Sequence, residues 1–154
     1  MIKLDHRPEN PAKTYLRRYR ALVIQRDSLQ RSIDAAYARA TNITPRIKEI
    51  NVQGSGAQDR MAEAVARIAD ETGRLKEAKK KVDAALGEIL RAIEAVPDEM
   101  QKTVLMLRYV EGLDWIGIQE EMKYERTQVF VIHGRALWHV RRWLESADEN
   151  GLVK

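Results

Sequence analysis

The chain has 154 residues, of which 44% are hydrophobic, 32% charged and only 6% aromatic. That is enough for one domain, or for one small domain with an extended element, and too little for two full globular cores. It contains no cysteine, which excludes a disulfide framework and thiolate metal sites, and its net charge of +4 is compatible with a polyanionic partner.

The first ten residues form a polar N-terminal arm without the apolar core of a secretion signal, and no stretch approaches the ~18 apolar residues of a membrane span. A bacterial cytoplasm is the expected location and a membrane partner is not expected. Residues 11–96 carry two long helical patterns. Asn10 is placed to cap the first, with Pro11 in its first turn, where a missing N–H costs nothing. From there Tyr15, Tyr19, Leu22, Arg26, Leu29, Ile33, Ala36, Ala40 and Ile43 recur at alternating steps of four and three, the spacing that keeps one stripe facing a partner helix. A second series runs through Met61, Val65, Ile68, Thr72, Leu75, Lys79, Val82, Leu86, Ile89, Ile93 and Val96. Arg26 in the first series and Thr72 and Lys79 in the second are the polar interruptions, either fixing the register or reaching out to solvent. A loop is expected over residues 44–59, where Pro45 and Gly54-Ser55-Gly56 interrupt both patterns and Asp59 can cap the second helix. The two helices then fold back as an antiparallel hairpin within one chain or pair between chains, with a dimer favoured.

Pro97 ends the second helix, because its ring disfavours helical geometry in the residue before it, and Asp98 opens the next one. Residues 97–146 read as three shorter helices: Asp98 to Val110, Asp114 to Met122, and Arg126 to Ser146. They are separated by Glu111-Gly112-Leu113 and Lys123-Tyr124-Glu125. Residues 147–154 read as a frayed tail. A short helix, a tight turn and a longer basic helix make the layout of a helix-turn-helix, and the charge follows it. Lys123, Arg126, Arg135, Arg141 and Arg142 face a single acid, Glu125, between Lys123 and Leu144, whereas residues 111–121 carry four acids and no base.

Stepping 100° per residue through the last helix sets Val129, Ile132, Ala136 and Val140 on a core face toward Leu105, Ile118 and Met122. Thr127, Val131, Gly134, Arg135, Trp138, Arg141 and Arg142 fall on the opposite side. A helix in a major groove reads bases from its N-terminal residues and holds phosphates with peripheral Arg and Lys. Arg126 suits guanine, Gln128 suits adenine, and Thr127 and Val131 offer methyl groups to thymine. Lys123, Arg135, Arg141 and Arg142 suit phosphates. Core or coiled-coil packing is the preferred role for Trp138 and Trp143. His133 and His139 lie on opposite faces without a third ligand, and no phosphate loop or nucleophile motif is present, so neither a cofactor, a metal nor an enzyme is expected.

Residues Leu107-Arg108-Tyr109-Val110-Glu111-Gly112-Leu113, Trp115-Ile116-Gly117-Ile118 and Arg135-Ala136-Leu137 give the segment from Pro97 to Leu144 its likeness to a known module. It resembles region 4, the promoter-reading domain of the sigma-70 family. The wider chain is similar to phage and prophage sigma-like proteins that join an N-terminal helical hairpin to this module. The shared features are Ala40-Thr41-Asn42-Ile43-Thr44-Pro45, Gly54-Ser55-Gly56, Asp59-Arg60-Met61 and the run from Arg126 to Leu137. The fold implied is all-α: a long antiparallel helical hairpin followed by a sigma region 4-like helix-turn-helix bundle. The function implied is regulation of phage or prophage transcription through double-stranded DNA, with host RNA polymerase as a further partner. Arg126, Thr127, Gln128 and Val131 stand where the family reads bases. The chain departs from the pattern at Lys123, where the turn has Gly, at Glu125, where the cap is Ser or Thr, at Gln119, where a small residue is usual, and at Phe130 and Val131, where polar readers are usual. Two other readings fit the layout: a protein-interaction module built on a repurposed helix-turn-helix, and a small terminase-like component of phage DNA packaging.

Overall fold

The computed structural model describes residues 8–49 and 55–151, and among these every regular element is helical. Helix α1 spans Pro11–Glu49 and α2 spans Ser55–Glu94. They are followed by α3 (Glu99–Leu105), which runs on through a wide π turn over Met106–Val110, then α4 (Trp115–Met122) and α5 (Arg126–Glu149). No helix among the described residues is long and apolar enough to cross a membrane.

The local start signals act as the chemistry requires. The Asn10 side chain accepts from the Ala12 N–H at 3.0 Å, and Asp98 accepts from Gln101 N at 2.9 Å, each satisfying a donor that a first helical turn leaves open. The expected 44–59 loop is shorter: α1 continues to Glu49 across Pro45, and α2 already begins at Ser55. Asp59 therefore lies inside α2 rather than capping it. Ile43, Thr44, Pro45 and Gly54 belong to a stretch whose side chains lie outside the described residues.

The chain divides into two compact units, one formed by residues 8–21 and 84–151 and the other by residues 22–83. The break expected at Pro97 is thus not where the packing divides, since both long helices lend an end to the first unit. In that unit Ala12 and Leu16 of α1 and Ile89, Ala92, Ile93 and Val96 of α2 form one buried cluster with Leu105, Tyr109, Ala136, Leu137 and Val140. Tyr15 meets Trp143 with ring centroids 6.3 Å apart. Trp143 is half-buried and packs against this cluster, as its size and apolar body favour. The expected stripe on α1 is displaced at this end: Ala12 and Leu16 are fully buried and Tyr15 and Tyr19 only half-buried. The helix is covered by both α2 and α5 here, so its buried arc is wider than a two-helix seam.

In the second unit the buried residues are Val23 and Ile33 of α1 and Ile68, Leu75 and Val82 of α2. The Ser32 hydroxyl donates to Glu71 at 3.0 Å, while Arg26 and Gln30 share a groove with Lys79 and Asp83, and Ala36 and Arg39 share another with Arg60 and Glu63. The two helices therefore run antiparallel within this unit. Arg26 donates to Asp27, and Thr72 turns its hydroxyl back onto the Ile68 carbonyl at 2.7 Å. Met61 and Val65, expected in the stripe, are exposed.

The π turn serves the packing of the first unit. Glu111 N–H reaches back five residues to the Met106 carbonyl at 3.0 Å. Leu107 and Tyr109, two apart, are both buried, Leu107 in a second cluster with Ile118 and Val129 and Tyr109 in the main one. A regular α-helix turns two such residues about 200° apart, so the segment is shared between two cores.

Candidate nucleic-acid interface

Helix α4 is started by Asp114, whose side chain accepts from Gly117 N at 2.8 Å. It ends at Lys123, which adopts the left-handed conformation with φ 57° and ψ 35°. Lys123 is the one non-glycine residue with positive φ among the described residues. Tyr124 then packs against the Leu107, Ile118 and Val129 cluster, and Glu125 is extended at φ −74° and ψ 159° before α5 begins.

The Glu125 N–H donates to the Gln128 side-chain oxygen at 3.2 Å. A Gln three residues after a cap can close this contact from within the first turn. Its Oε1 is thereby turned back along the chain instead of outward.

Along α5, Val129, His133, Ala136, Leu137 and Val140 are buried, and Thr127, Val131, Gly134, Arg135, Trp138, Arg141 and Arg142 are exposed. The two sets lie on opposite sides of the helix, as the angular pattern predicts. Ile132, expected in the core, is half-buried at its edge. With Tyr124, Thr127, Gln128 and Val131 it lines a shallow groove of about 340 Å³. Three of the four base-reading candidates, Thr127, Gln128 and Val131, thus meet at one groove, with Arg126 at the first position of the helix. Trp138 corrects the packing expectation: it is 56% exposed, because its position on α5 faces away from every core residue of that helix. It stands edge-on to His139 at 4.9 Å, with the Arg142 guanidinium 5.4 Å from its ring centroid.

The four phosphate candidates are all exposed. Arg141 pairs with Glu145 at 3.2 Å on the same helix, whereas among the described residues no carboxylate forms an ion pair with Lys123, Arg126, Arg135 or Arg142. Surface pairs of the Arg141 kind contribute little to stability, so Arg141 is readily recruited by a stronger anion.

One arrangement was not foreseeable from spacing. The Arg126 guanidinium lies 5.2 Å from the Phe130 ring centroid, Phe130 packs on Trp115 at 4.8 Å, and Arg108 lies over the Trp115 ring at 4.6 Å. Arg108 also donates to the Leu113 carbonyl at 2.9 Å. Trp115 meets the buried His133 edge-on at 4.8 Å, and the His133 Nε2 is 2.9 Å from the Tyr109 hydroxyl. Burial, reinforced by the positive field of Lys13, Arg108 and Arg17, pushes the His133 pKa down to about 4, so the ring is neutral at physiological pH. Burial also raises the Tyr109 pKa, leaving a neutral hydroxyl–imidazole pair in the core. The signal for Gln128 was present in its spacing from Glu125. The Trp115–Phe130 contact joins two helices and leaves no trace in the periodicity of either.

Comparison with protein-family models, with curated proteins and with solved structures finds no match for this chain.

Proposed function

We propose that the chain is a DNA-binding transcription regulator of phage or prophage type, in which α1 and α2 form a helical hairpin and α4 and α5 a sigma region 4-like helix-turn-helix. The observation that carries this reading is the outward face of α5. It is exposed along its length and combines small residues near its start with Arg135, Arg141 and Arg142 further along. Arg126 and Arg142 are sixteen residues apart, or about 24 Å along the axis. Such a helix can lie in a major groove with its first turn at the bases and its arginines at the flanking phosphates. Binding, not catalysis, is the mechanism, and the hairpin supplies the surface for a second copy of the chain or for host RNA polymerase.

The test is retention of random duplex DNA at low salt followed by a salt titration. The logarithm of affinity should fall linearly with the logarithm of salt concentration, and Arg135→Ala should make the slope shallower by about 0.9, the loss of one phosphate contact. The exposed Val131 and Trp138, at 48% and 56%, favour a protein-interaction module as the second reading. A protein that holds no duplex at low salt supports that reading against ours. A DNA-packaging component is separated from a regulator by its mass in solution, a ring against a dimer.

A further inference from the structure

We infer that Phe130 is a positioning residue for base recognition: it holds the Arg126 guanidinium for a guanine at the edge of the site, while Gln128 is withdrawn from base reading. This rests on the DNA-binding reading above and assigns its specificity.

The two residues best suited by chemistry to read purines are Arg126 and Gln128, and the structure treats them in opposite ways. Gln128 has its oxygen on the Glu125 N–H at 3.2 Å. An amide reads adenine with both ends at once, its oxygen accepting from N6 and its nitrogen donating to N7. The oxygen keeps a second lone pair, but both ends of the amide reach a base edge only if the side chain turns outward, and the Glu125 N–H then loses this partner. Among the described residues no hydrogen bond or ion pair competes for Arg126. Its guanidinium rests 5.2 Å from the Phe130 ring centroid, four residues on along the same helix. Stacking on an aromatic face leaves the N–H edge of the fork unoccupied, and that edge is the one that pairs with guanine O6 and N7.

Phe130 is itself fixed. It is only 37% exposed and packs on Trp115, which is held at the start of α4 between Arg108 on its face and His133 at its edge. The chain of contacts runs from the buried core of the unit to the first residue of α5. A free arginine side chain carries a large rotamer entropy, and a pre-set one loses less of it on forming a paired contact. Thr127 and Val131, which line the groove beside the first turn of α5, present methyl groups in place of donors and acceptors, which suits thymine methyls.

The experiment is selection from random duplex DNA with the full chain, repeated with Arg126→Lys, Phe130→Leu, Phe130→Tyr and Gln128→Ala, with helix content checked by circular dichroism. The parent should enrich a guanine at one position by roughly tenfold or more, the discrimination expected of one paired contact. Arg126→Lys should abolish that preference while keeping salt-dependent duplex binding, because the point charge remains and the fork does not. Phe130→Leu should weaken the preference and Phe130→Tyr should restore it, since both fill the space and only one has an aromatic face. Gln128→Ala should leave the motif unchanged. A motif whose guanine is indifferent to Arg126, or equal preferences for Phe130→Leu and the parent, overturns the inference while the DNA-binding reading stands. Loss of an adenine in Gln128→Ala also overturns it. A chain that retains no duplex at low salt removes the DNA-binding reading itself and this assignment with it.

Discussion

Replacing Lys123 with glycine should stabilise the unit that carries α4 and α5, although it deletes a charged residue from the candidate interface. Lys123 closes α4 at φ 57° and ψ 35°, where its Cβ crowds the following carbonyl at a cost of about 1–2 kcal/mol that glycine does not incur. Glycine in turn gives the unfolded chain more freedom, which offsets about 0.5–1 kcal/mol. The net gain is about 0.5–1 kcal/mol, equivalent to a rise in Tm of about 1–4 °C for a chain of this length. All three tryptophans, Trp115, Trp138 and Trp143, lie in that unit, so urea unfolding followed by indole emission reports it selectively. Lys123→Ala is the necessary control, because Glu120, Glu121 and Glu125 surround the turn in sequence and loss of the ammonium has its own effect. Alanine removes the charge and keeps the Cβ. Glycine should therefore exceed alanine by the full net gain, while both weaken duplex binding equally. Equal stability of the two variants would refute the backbone argument and assign any gain to charge.

Two further perturbations probe the same unit. Gly112 has φ 77°, and a Cβ placed on it would sit 2.7 Å from the Arg20 guanidinium. Gly112→Ala should cost about 1–2 kcal/mol from the backbone alone, and since a guanidinium can swing aside, the cost should persist in an Arg20→Ala background; its disappearance there would show that the clash, not the φ angle, was decisive. For His133 the folded pKa lies near 4, below the ordinary 6.5, so the neutral ring is favoured by folding. Its contribution is complete above pH 6.5 and is lost as pH falls toward 4, at a rate of at most about 1.4 kcal/mol per pH unit. His133→Gln should flatten urea-midpoint profiles across that window, and an unchanged profile would remove His133 as the cause.

The elements were legible where a local rule acts alone. Asn10 caps α1 as its place before Pro11 predicts, Asp98 and Asp114 stand at the starts expected of the next two helices and prove to be their caps, and Lys123 takes the left-handed conformation that its turn requires. The α2 stripe from Ile68 through Leu75, Val82, Ile89 and Ile93 to Val96 is buried as its spacing predicts. The α1 stripe was less accurate because periodicity locates one partner, whereas the start of α1 is covered by two helices and buries Ala12 and Leu16 beside the predicted line. The same cause hid the division into units. Pro97 is a local break in helix geometry, but a core is a tertiary object, and Leu16 and Ile93 pack with residues forty and more positions further on.

The candidate site shows how far side-chain type differs from side-chain availability. Angular position along α5 separates exposed Val131, Arg135 and Trp138 from buried Val129, Ala136 and Val140, so the face was readable from sequence. The engagement of each residue on that face was not. Arg126 and Gln128 have equally suitable chemistry for purines and stand two residues apart. A backbone donor at Glu125 occupies one, and a ring four residues along supports the other. The first constraint was accessible as a Gln at the third helical position; the second needs Trp115, from another helix, to fix Phe130. On the proposed DNA-binding reading, the contacts beneath such a face set its base recognition, and Phe130→Leu, at a residue that need touch no base, should weaken the preference of Arg126 for guanine.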